Sequence, residues 1–230
     1  MTLLDFIFPR RCVECGRLGA YFCTSCCLHI QPILFSETIC PVCERSAIAG
    51  ITHPRCHTKY AVDGLTSFFH YKGAIKKAVK MLKYRLVSDV VTEFVALIPD
   101  DLLSDVYRGN VFDPICIPIP LHKTRLYQRG FNQAQVLGKL VSNRLRIPMD
   151  IDILLRTRQT VPQVEMKHKE DRLQNMREVF LVNPKMQRTI RNKNVIVFDD
   201  VFTTGATMRE AARVLKHAGA KRVWGVTMAR

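Results

Sequence analysis

Residues 195–207 limit the possible folds of this 230-residue chain more than any other stretch. Four consecutive apolar residues at 195–198 predict a fully buried strand, which two adjacent carboxylates end. A short turn follows, and apolar residues at helical spacing then predict a helix over 208–218 and a second strand over 223–228. Because strands joined by a helix run parallel, this unit predicts an α/β fold with a mostly parallel, twisted sheet covered by helices.

The same stretch predicts a binding site for a phosphorylated sugar. The turn lies where a strand ends and a helix begins, so free backbone N–H groups and the helix dipole favour an anion there. Its hydroxyls add donors and its glycine lets a ligand approach the backbone. The predicted phosphate loop consists of Thr203, Thr204, Gly205, Ala206 and Thr207. Asp199 and Asp200 cannot share a phosphate, so we expect them to bind ribose hydroxyls or a divalent cation.

The composition favours an anionic partner. A net charge of +15 and a pI of about 9.7 suit nucleic acid, nucleotides or a membrane surface, and a solvated basic surface is the alternative. No apolar run approaches about 20 residues, so no transmembrane helix is predicted. The apolar start at 2–9 is short and precedes its positive charges, unlike a secretory signal, and predicts a cytoplasmic protein.

Eight of the nine cysteines precede residue 57 and predict a zinc-binding module over residues 1–60. Thiols stay reduced in the cytosol, so metal ligation is favoured over disulfides. Each C-x2-C turn lets two sulfurs reach one ion, and four ligands close a tetrahedral structural site with no position left for water. The first predicted set is Cys12, Cys15, Cys23 and Cys26, and the second is Cys40, Cys43, His53 and Cys56.

The sequence leaves the ligand pairing open. The pairs could combine across the two sets, and His29 or His57 could compete as ligands, although their spacing is poorer. Cys27 and Cys116 have no obvious partner and are expected to be packed thiols. In either pairing, zinc would contribute on the order of 10 kcal/mol to the folding of so small a module.

Residues 61–230 are expected to form the α/β domain. Before residue 121 we expect a strand over 63–71, helices over 75–86 and 89–98, a polar loop over 99–110, and a strand over 115–120. The first of these helices has a basic face without acids, which indicates either contact with nucleic-acid phosphates or solubility alone. Its cations are Lys76, Lys77, Lys80, Lys83 and Arg85.

A second basic segment follows the next strand. Residues 121–131 are expected to form a loop at the strand end, before a helix over 132–146. Arg129 followed by Gly130 would allow close, forked contact with pyrophosphate oxygens. A basic surface turn with Asn132 capping the helix is the alternative.

Residues 199–207 resemble the phosphoribosyl-pyrophosphate (PRPP) motif of type I phosphoribosyltransferases, with an apolar strand, two acids and a Thr/Gly-rich loop in order. The Cys-rich start, the prolines in 118–120 and the motif at 129–133 accompany it in the chain. Together these motifs identify the chain as a member of the ComF family of natural-competence proteins. The resemblance spans nearly the whole chain and implies a phosphoribosyltransferase-like domain behind a zinc module.

The resemblance also implies a mobile lid over residues 153–177, which are polar and basic without clear periodicity. This segment contains Arg158, a candidate ligand of the pyrophosphate. Two positions depart from the family pattern: His53 stands where the family more often has Cys, and Phe202 where a small or β-branched residue is commoner.

The resemblance implies a competence factor that binds PRPP or a related phosphosugar and assists the uptake of single-stranded DNA. It would act in the cytoplasm, with peripheral association at the inner membrane face and protein partners of the uptake machinery as further expectations. The alternative is an active phosphoribosyltransferase that uses PRPP with Mg²⁺ and an unidentified acceptor. Asp199 and Asp200 would then hold the ribose, and Arg129 and Arg158 would stabilise the leaving pyrophosphate. A non-catalytic PRPP or nucleotide sensor is a third possibility.

No base-recognition element is evident in the sequence, which weighs against a purine or pyrimidine enzyme. Four aromatic residues near the basic stretches could stack on nucleic-acid bases, although a place in the core is the alternative. They are Tyr71, Tyr84, Tyr127 and Phe131.

Overall fold

The computed structural model describes residues 9–83, 88–109, 112–158, 176 and 178–230. Its centre is a four-stranded sheet in the order β1-β6-β5-β2, with every neighbouring pair parallel, and a separate antiparallel pair is formed by β3 and β4. The strands are β1 (Gly64–Phe69), β2 (Ile115–Pro118), β3 (Leu154–Arg156), β4 (Phe180–Val182), β5 (Asn194–Val201) and β6 (Arg222–Ala229). The predicted α/β fold with a parallel sheet is confirmed.

Helices connect and cover these strands. The α-helices are α1 (Thr24–Cys27), α2 (Gly73–Leu82), α3 (Ser88–Ala96), α4 (Asp100–Ser104), α5 (Lys123–Arg129), α6 (Gln133–Leu145), α7 (Gln187–Ile190) and α8 (Ala206–His217). Short 3-10 helices span Phe35–Glu37, Ile48–Gly50, Pro54–Cys56, Asp105–Gly109 and Pro184–Met186. No helix among the described residues is long and apolar enough to cross a bilayer.

The sheet is buried on both faces, which explains the unbroken apolar run in β5. A β-carbon at Gly138 of α6 would lie 3.1 Å from the ring of Phe198. A β-carbon at Gly225 of β6, whose register partner is Val197, would lie 3.0 Å from the sulfur of Met208 in α8. Since successive side chains of a strand face opposite sides, α6 and α8 pack on opposite faces of the sheet.

Three local predictions are wrong. The carboxylates do not end β5: the strand continues to Val201, because its backbone stays paired with β6 up to Ala229. The expected loop over 99–110 contains α4 and a 3-10 helix, and acidic residues in the first turn of α4 complement its dipole. The expected basic loop over 121–131 contains α5, which begins where His122 accepts from the N–H of Thr124 and ends at Gly130 with φ 74°.

Other predictions are confirmed within the described residues. The helix expected over 132–146 is α6, and the side chain of Asn132 accepts the N–H of Ala134 as its cap. The helix expected over 75–86 is described to Leu82, and its last residues lie outside the described residues. Residues 1–8 and nearly all of the expected lid beyond Arg158 also lie outside them.

The Cys-rich segment packs directly on the sheet and on α3. Phe22 stacks on Phe94 with ring centroids 5.7 Å apart, and Ile51 forms an antiparallel bridge with Gly64 of β1. The carboxylate of Glu93 accepts from the backbone N–H of Phe22 and of its predecessor. The boundary near residue 60 stays a prediction.

Candidate metal centres and phosphosugar site

The predicted ligand sets form two separate clusters. The ligand atoms of Cys12, Cys15, Cys23 and Cys26 all lie within 4.8 Å of one another, as do those of Cys40, Cys43, His53 and Cys56. Within the first cluster, two sulfurs stand 3.7 Å apart, close to the separation of about 3.8 Å that a tetrahedral zinc ion imposes on its thiolates. Each cluster can therefore hold one zinc ion, and the sets are sequential rather than crossed.

The first C-x2-C turn of each cluster has the same backbone fold. The N–H of Cys12 donates to a carbonyl five residues on at 2.8 Å, and that of Cys40 does the same at 2.9 Å. Gly16 and Glu44 hold equivalent positions after the second cysteine, with φ of 77° and 62°. Glu44 adopts this left-handed conformation at a cost of about 1 kcal/mol, which indicates that the turn geometry is imposed by its surroundings.

The surroundings of the ligands favour metal binding. Although burial opposes ionisation, hydrogen bonds from backbone N–H groups lower the pKa of the Cys12 thiol to about 6, and they also lower that of Cys40. In contrast, the hydrogen bond with Cys23 raises the pKa of Cys26, and burial raises that of Cys56 to about 11, so the first proton leaves each cluster more readily than the last. Nε2 of His53 lies 3.0 Å from the carbonyl of Ser46, which can only accept. This places the proton on Nε2 and leaves Nδ1, 3.3 Å from the sulfur of Cys43, free to bind a metal.

The remaining cysteines and histidines lie outside these clusters. Nδ1 of His29 is 2.9 Å from the carbonyl of Ser25, and Nε2 of His57 is 3.1 Å from the carboxylate of Asp63. Cys116 is buried in the sheet, and burial raises the pKa of its thiol to about 11. Cys27 is half-buried against the carbonyl of Phe22.

The candidate phosphosugar site lies at the carboxyl edge of the parallel sheet. Here Asp199 pairs in register with Thr227 of β6, whose hydroxyl is 2.7 Å from that of Ser67 in β1. The three side chains share one face of the sheet, the face that α8 covers. One cavity at this face is lined by Asp199, Val201, Phe202, Thr203, Gly205, Ala206, Thr207, Met208 and Thr227.

The two carboxylates occupy different surroundings. Asp199 lines the cavity, and one of its oxygens accepts the N–H of Asp200 at 2.9 Å. Asp200 lies nearer to α2, with an oxygen 3.9 Å from Nζ of Lys83. Burial and the charge of Asp200 raise the pKa of Asp199 well above its usual range, although the charge of Lys83 opposes this. Burial and Asp200 also raise the pKa of Tyr71.

The predicted phosphate loop begins α8 around a glycine that the geometry requires. Gly205 has φ 69°, and a β-carbon there would lie 2.7 Å from the ring of Phe202 and 3.0 Å from the carbonyl oxygen of Pro41. Only glycine therefore fits. As the cap residue it supplies no side-chain acceptor to the first turn of α8.

Thr204 is placed differently from its neighbours in the loop. It is absent from the lining of the cavity, and its carbonyl accepts from the guanidinium of Arg209 at 2.9 Å. Its hydroxyl oxygen is buried without a hydrogen-bond partner among the described residues. Thr203 and Thr207 line the cavity, and their contact with a phosphate stays a prediction.

The two arginines predicted to bind pyrophosphate, Arg129 and Arg158, have different surroundings. Arg129 donates to Gln133, whose amide donates to the carbonyl of Leu82 at the end of α2, next to Lys83. Arg158 is exposed, and its carbonyl accepts from Nε of Arg156. The role of these residues stays a prediction.

Sequence reasoning missed Arg156, which the β3–β4 pair carries to the acid pair. Burial and the charge of Arg125 lower the pKa of Arg156 to about 10, whereas the charge of Asp199 opposes this shift. Its guanidinium lies 5.6 Å from the centre of the Phe180 ring. The resemblance covers this position, but nothing local distinguishes it from Arg158.

Comparison with known proteins agrees with this geometry. Residues 132–230 match the phosphoribosyl transferase domain family. The chain is 35% identical to Competence protein F of Haemophilus influenzae over 115 residues, 49% of each protein. It is 26% identical to Competence protein ComFC of Bacillus subtilis over 204 residues, which cover 86% of this chain and 78% of the relative.

These similarities support the ComF family for this chain. DNA utilization protein YhgH of Escherichia coli is a further relative, 26% identical over 194 residues, which cover 81% of this chain and 82% of that protein. The chain spans about half the length of the Haemophilus relative. The chain thus combines a phosphoribosyl transferase domain with two Cys/His clusters, each able to hold zinc.

Proposed function

We propose that this ComF family chain binds PRPP or a related phosphoribosyl ligand and uses it in handling single-stranded DNA. The placement of Asp199 and the start of α8 around one small cleft carries the proposal. A 5′-phosphate suits the N–H groups and positive dipole at this helix end. Ribose hydroxyls suit the carboxylates of Asp199 and Asp200, and Mg²⁺ bound with the diphosphate would balance their charge.

Thermal unfolding with and without PRPP–Mg²⁺ tests the binding. A ligand that binds only the folded chain at about 100 times its Kd stabilises it by about 2.7 kcal/mol. We expect this shift to be lost in Asp200→Asn and kept in Asp113→Asn, which alters an exposed carboxylate paired with Lys193 before β2. A parent-like shift in Asp200→Asn would place the sugar elsewhere.

The DNA part of the proposal rests on charge and on relatives named as competence and DNA utilization proteins. The chain has a net charge of +15, and Lys72, Lys76 and Lys80 are exposed at or on α2. Tyr127 on α5 is 92% exposed, so this aromatic ring is open to stacking on a base. Tyr71 is half-buried, and Tyr84 lies outside the described residues.

Binding of a fluorescent oligo(dT) over a range of salt concentrations tests this part. We expect Lys76→Ala to reduce the slope of log K against log[salt] by about 0.7, because one phosphate contact is lost. Tyr127→Ala should weaken binding while keeping the slope, because stacking releases no counterion. Lys221→Ala, at the opposite edge of the sheet, is the control. Binding that does not depend on salt would contradict the proposal.

An active phosphoribosyltransferase is the second candidate, favoured by the cations near Asp199. Arg125 and Arg156 both act electrostatically on this corner of the sheet, where developing charge on pyrophosphate would need compensation. Release of pyrophosphate from PRPP–Mg²⁺ in the presence of candidate acceptors would establish turnover. Binding of PRPP without release would favour a sensor or an accessory role.

A further inference from the structure

The second Cys/His cluster touches the predicted phosphate loop directly. The guanidinium of Arg209, on the first turns of α8, donates to the carbonyl of Thr204 at 2.9 Å and to that of Val42 at 3.3 Å. Val42 lies between the ligands Cys40 and Cys43. One side chain thus joins the metal-binding turn to the loop by two hydrogen bonds from a charged donor.

The backbones of the two segments are also close. The carbonyl oxygen of Pro41, in the same turn, approaches Gly205 so closely that a β-carbon on this glycine would meet it at 3.0 Å. Burial lowers the pKa of Arg209, whereas the charges of Glu44 and Cys40, in and beside the same turn, oppose the shift. Its Nε atom is buried without a hydrogen-bond partner among the described residues.

The first cluster is anchored elsewhere. Arg10, near its first ligand, pairs with Asp89 and Glu93 on α3 at 2.7 and 3.3 Å. Lys77 of α2 donates to the carbonyl and the carboxylate of Glu14. These attachments are to α2 and α3, whereas Arg209 attaches the second cluster to α8, so the two clusters offer an internal comparison.

We infer that metal at Cys40, Cys43, His53 and Cys56 holds the phosphate loop in its binding geometry, with Arg209 as the positioning residue between them. This inference rests on the proposed phosphosugar function. An ordered turn at 40–43 keeps two carbonyls in place, one for the guanidinium and one against Gly205. Loss of metal or oxidation of its thiols releases this turn and with it the loop, so the phosphosugar affinity depends on the state of the second cluster.

Linkage makes this dependence reciprocal: a ligand in the loop must retain metal in the second cluster. Ribose 5-phosphate is the probe, because it lacks the diphosphate that would chelate zinc. We measure the release of zinc to a coloured chelator from the intact chain. We expect the probe to slow one of two release phases at least about tenfold and to leave the other unchanged.

The variants separate positioning from general stability. Arg209→Ala should weaken ribose 5-phosphate binding about tenfold and abolish the effect of the probe on zinc release, because a hydrogen-bonded charge is removed. Arg209→Lys should restore part of both, since one donor still reaches a carbonyl. Arg10→Ala is the matched control and should change neither, although it loosens the first cluster.

Opposite results would overturn the inference. Equal slowing of both release phases, or parent-like binding in Arg209→Ala, would show that the second cluster does not act on the loop. If the parent chain fails to bind ribose 5-phosphate and PRPP, the proposed function fails instead. Hydrogen exchange of the amides at 203–208 then tests whether the second cluster holds the loop. If it does, these amides exchange faster in Cys43→Ser than in Cys15→Ser. Equal rates in the two variants would refute the inference.

Discussion

At the scale of single residues, the adjacent carboxylates of Asp199 and Asp200 suit ligand binding but lower the stability of the unliganded protein. Two adjacent carboxylates suit a sugar diol, but burial and mutual repulsion raise the pKa of Asp199 well above its usual range. An acid whose pKa is raised in the folded state lowers the free energy of unfolding. This loss is complete above the folded-state pKa and disappears below the pKa of the unfolded chain. The burial of Asp199 therefore destabilises the unliganded protein at neutral pH, at the place where the ligand is proposed to bind.

Asp199→Asn should make the unliganded protein more stable at neutral and alkaline pH. The gain should decline as the pH falls through the raised pKa and vanish below about 3.9, the usual pKa of an aspartate in an unfolded chain. We expect a rise in Tm of at least about 2 °C at pH 8, measured by calorimetry between pH 4 and 8. Asp113→Asn is the control, and a lower Tm for Asp199→Asn at pH 8 would contradict the burial argument.

Arg156 offers a second prediction about a single residue. Its position near Asp199 suits the diphosphate of PRPP rather than the 5′-phosphate, which the start of α8 is proposed to bind. Arg156→Gln should weaken PRPP–Mg²⁺ binding at least about tenfold, because a charged, forked donor is lost. Its affinity for ribose 5-phosphate should stay within about twofold of the parent.

Isothermal titration with both ligands makes this measurement. Arg188→Gln, which alters an exposed arginine on α7, should leave both affinities unchanged. Equal losses for the two ligands in Arg156→Gln would show that this arginine supports the whole site rather than the diphosphate end.

At the scale of elements, β5, its turn and α8 form a unit whose geometry depends on one left-handed residue. Gly205 is enclosed by the ring of Phe202 on one side and the carbonyl of Pro41 on the other. Phe202 is thus packed beneath the turn, which accounts for an aromatic residue where the family more often has a smaller one. The positive φ of Gly205 and the close packing around it therefore both require glycine at this position.

Gly205→Ala should therefore lose stability and ligand binding together. The positive φ and the two close contacts should cost about 2 kcal/mol, and the displaced loop should lose the PRPP-induced shift in melting. Gly219→Ala is a matched control, because Gly219 ends α8 with φ 102° and lies outside the lining of the cavity. It should lose stability but retain binding, and parent-like binding in Gly205→Ala would exclude this turn as the phosphate loop.

At the scale of the whole molecule, the two Cys/His clusters attach the amino-terminal segment to different parts of the sheet domain. The first contacts α2 and α3 through Lys77 and Glu93, whereas the second contacts the start of α8 through Arg209. These attachments place both clusters outside the cavity lined by Asp199. The arrangement suits structural rather than catalytic zinc.

Elemental analysis of the purified protein should find about two zinc ions per chain. Cys15→Ser and Cys43→Ser should each lose one ion, because each removes a ligand from a different cluster. Removal of both by a chelator should lower the Tm strongly, since structural zinc contributes on the order of 10 kcal/mol to such modules. Cys27→Ser and Cys116→Ala should retain both ions, and one ion in the parent would mean that only one cluster binds metal.

Features that depend on short-range patterns could be predicted from the amino-acid sequence. The apolar run before Asp199, the helical spacing after Thr207 and the C-x2-C pairs each report local geometry, because strand, helix and metal-binding turn depend on residues close in the chain. The same reasoning failed over 99–110 and 121–131, where short polar helices lack the apolar periodicity that identifies longer ones.

The contacts between distant segments depend on how the elements pack and could not be predicted in this way. The tertiary structure brought Arg156 to Asp199 through the β3–β4 pair, and it placed Val42 beside Arg209 across most of the chain. Such contacts arise when helices and strands pack against one another. The sequence pattern around one arginine does not distinguish it from another, so it does not show which arginine will lie near Asp199. The sequence therefore predicted which kinds of site to expect, and the fold placed one Cys/His cluster beside the predicted phosphate loop.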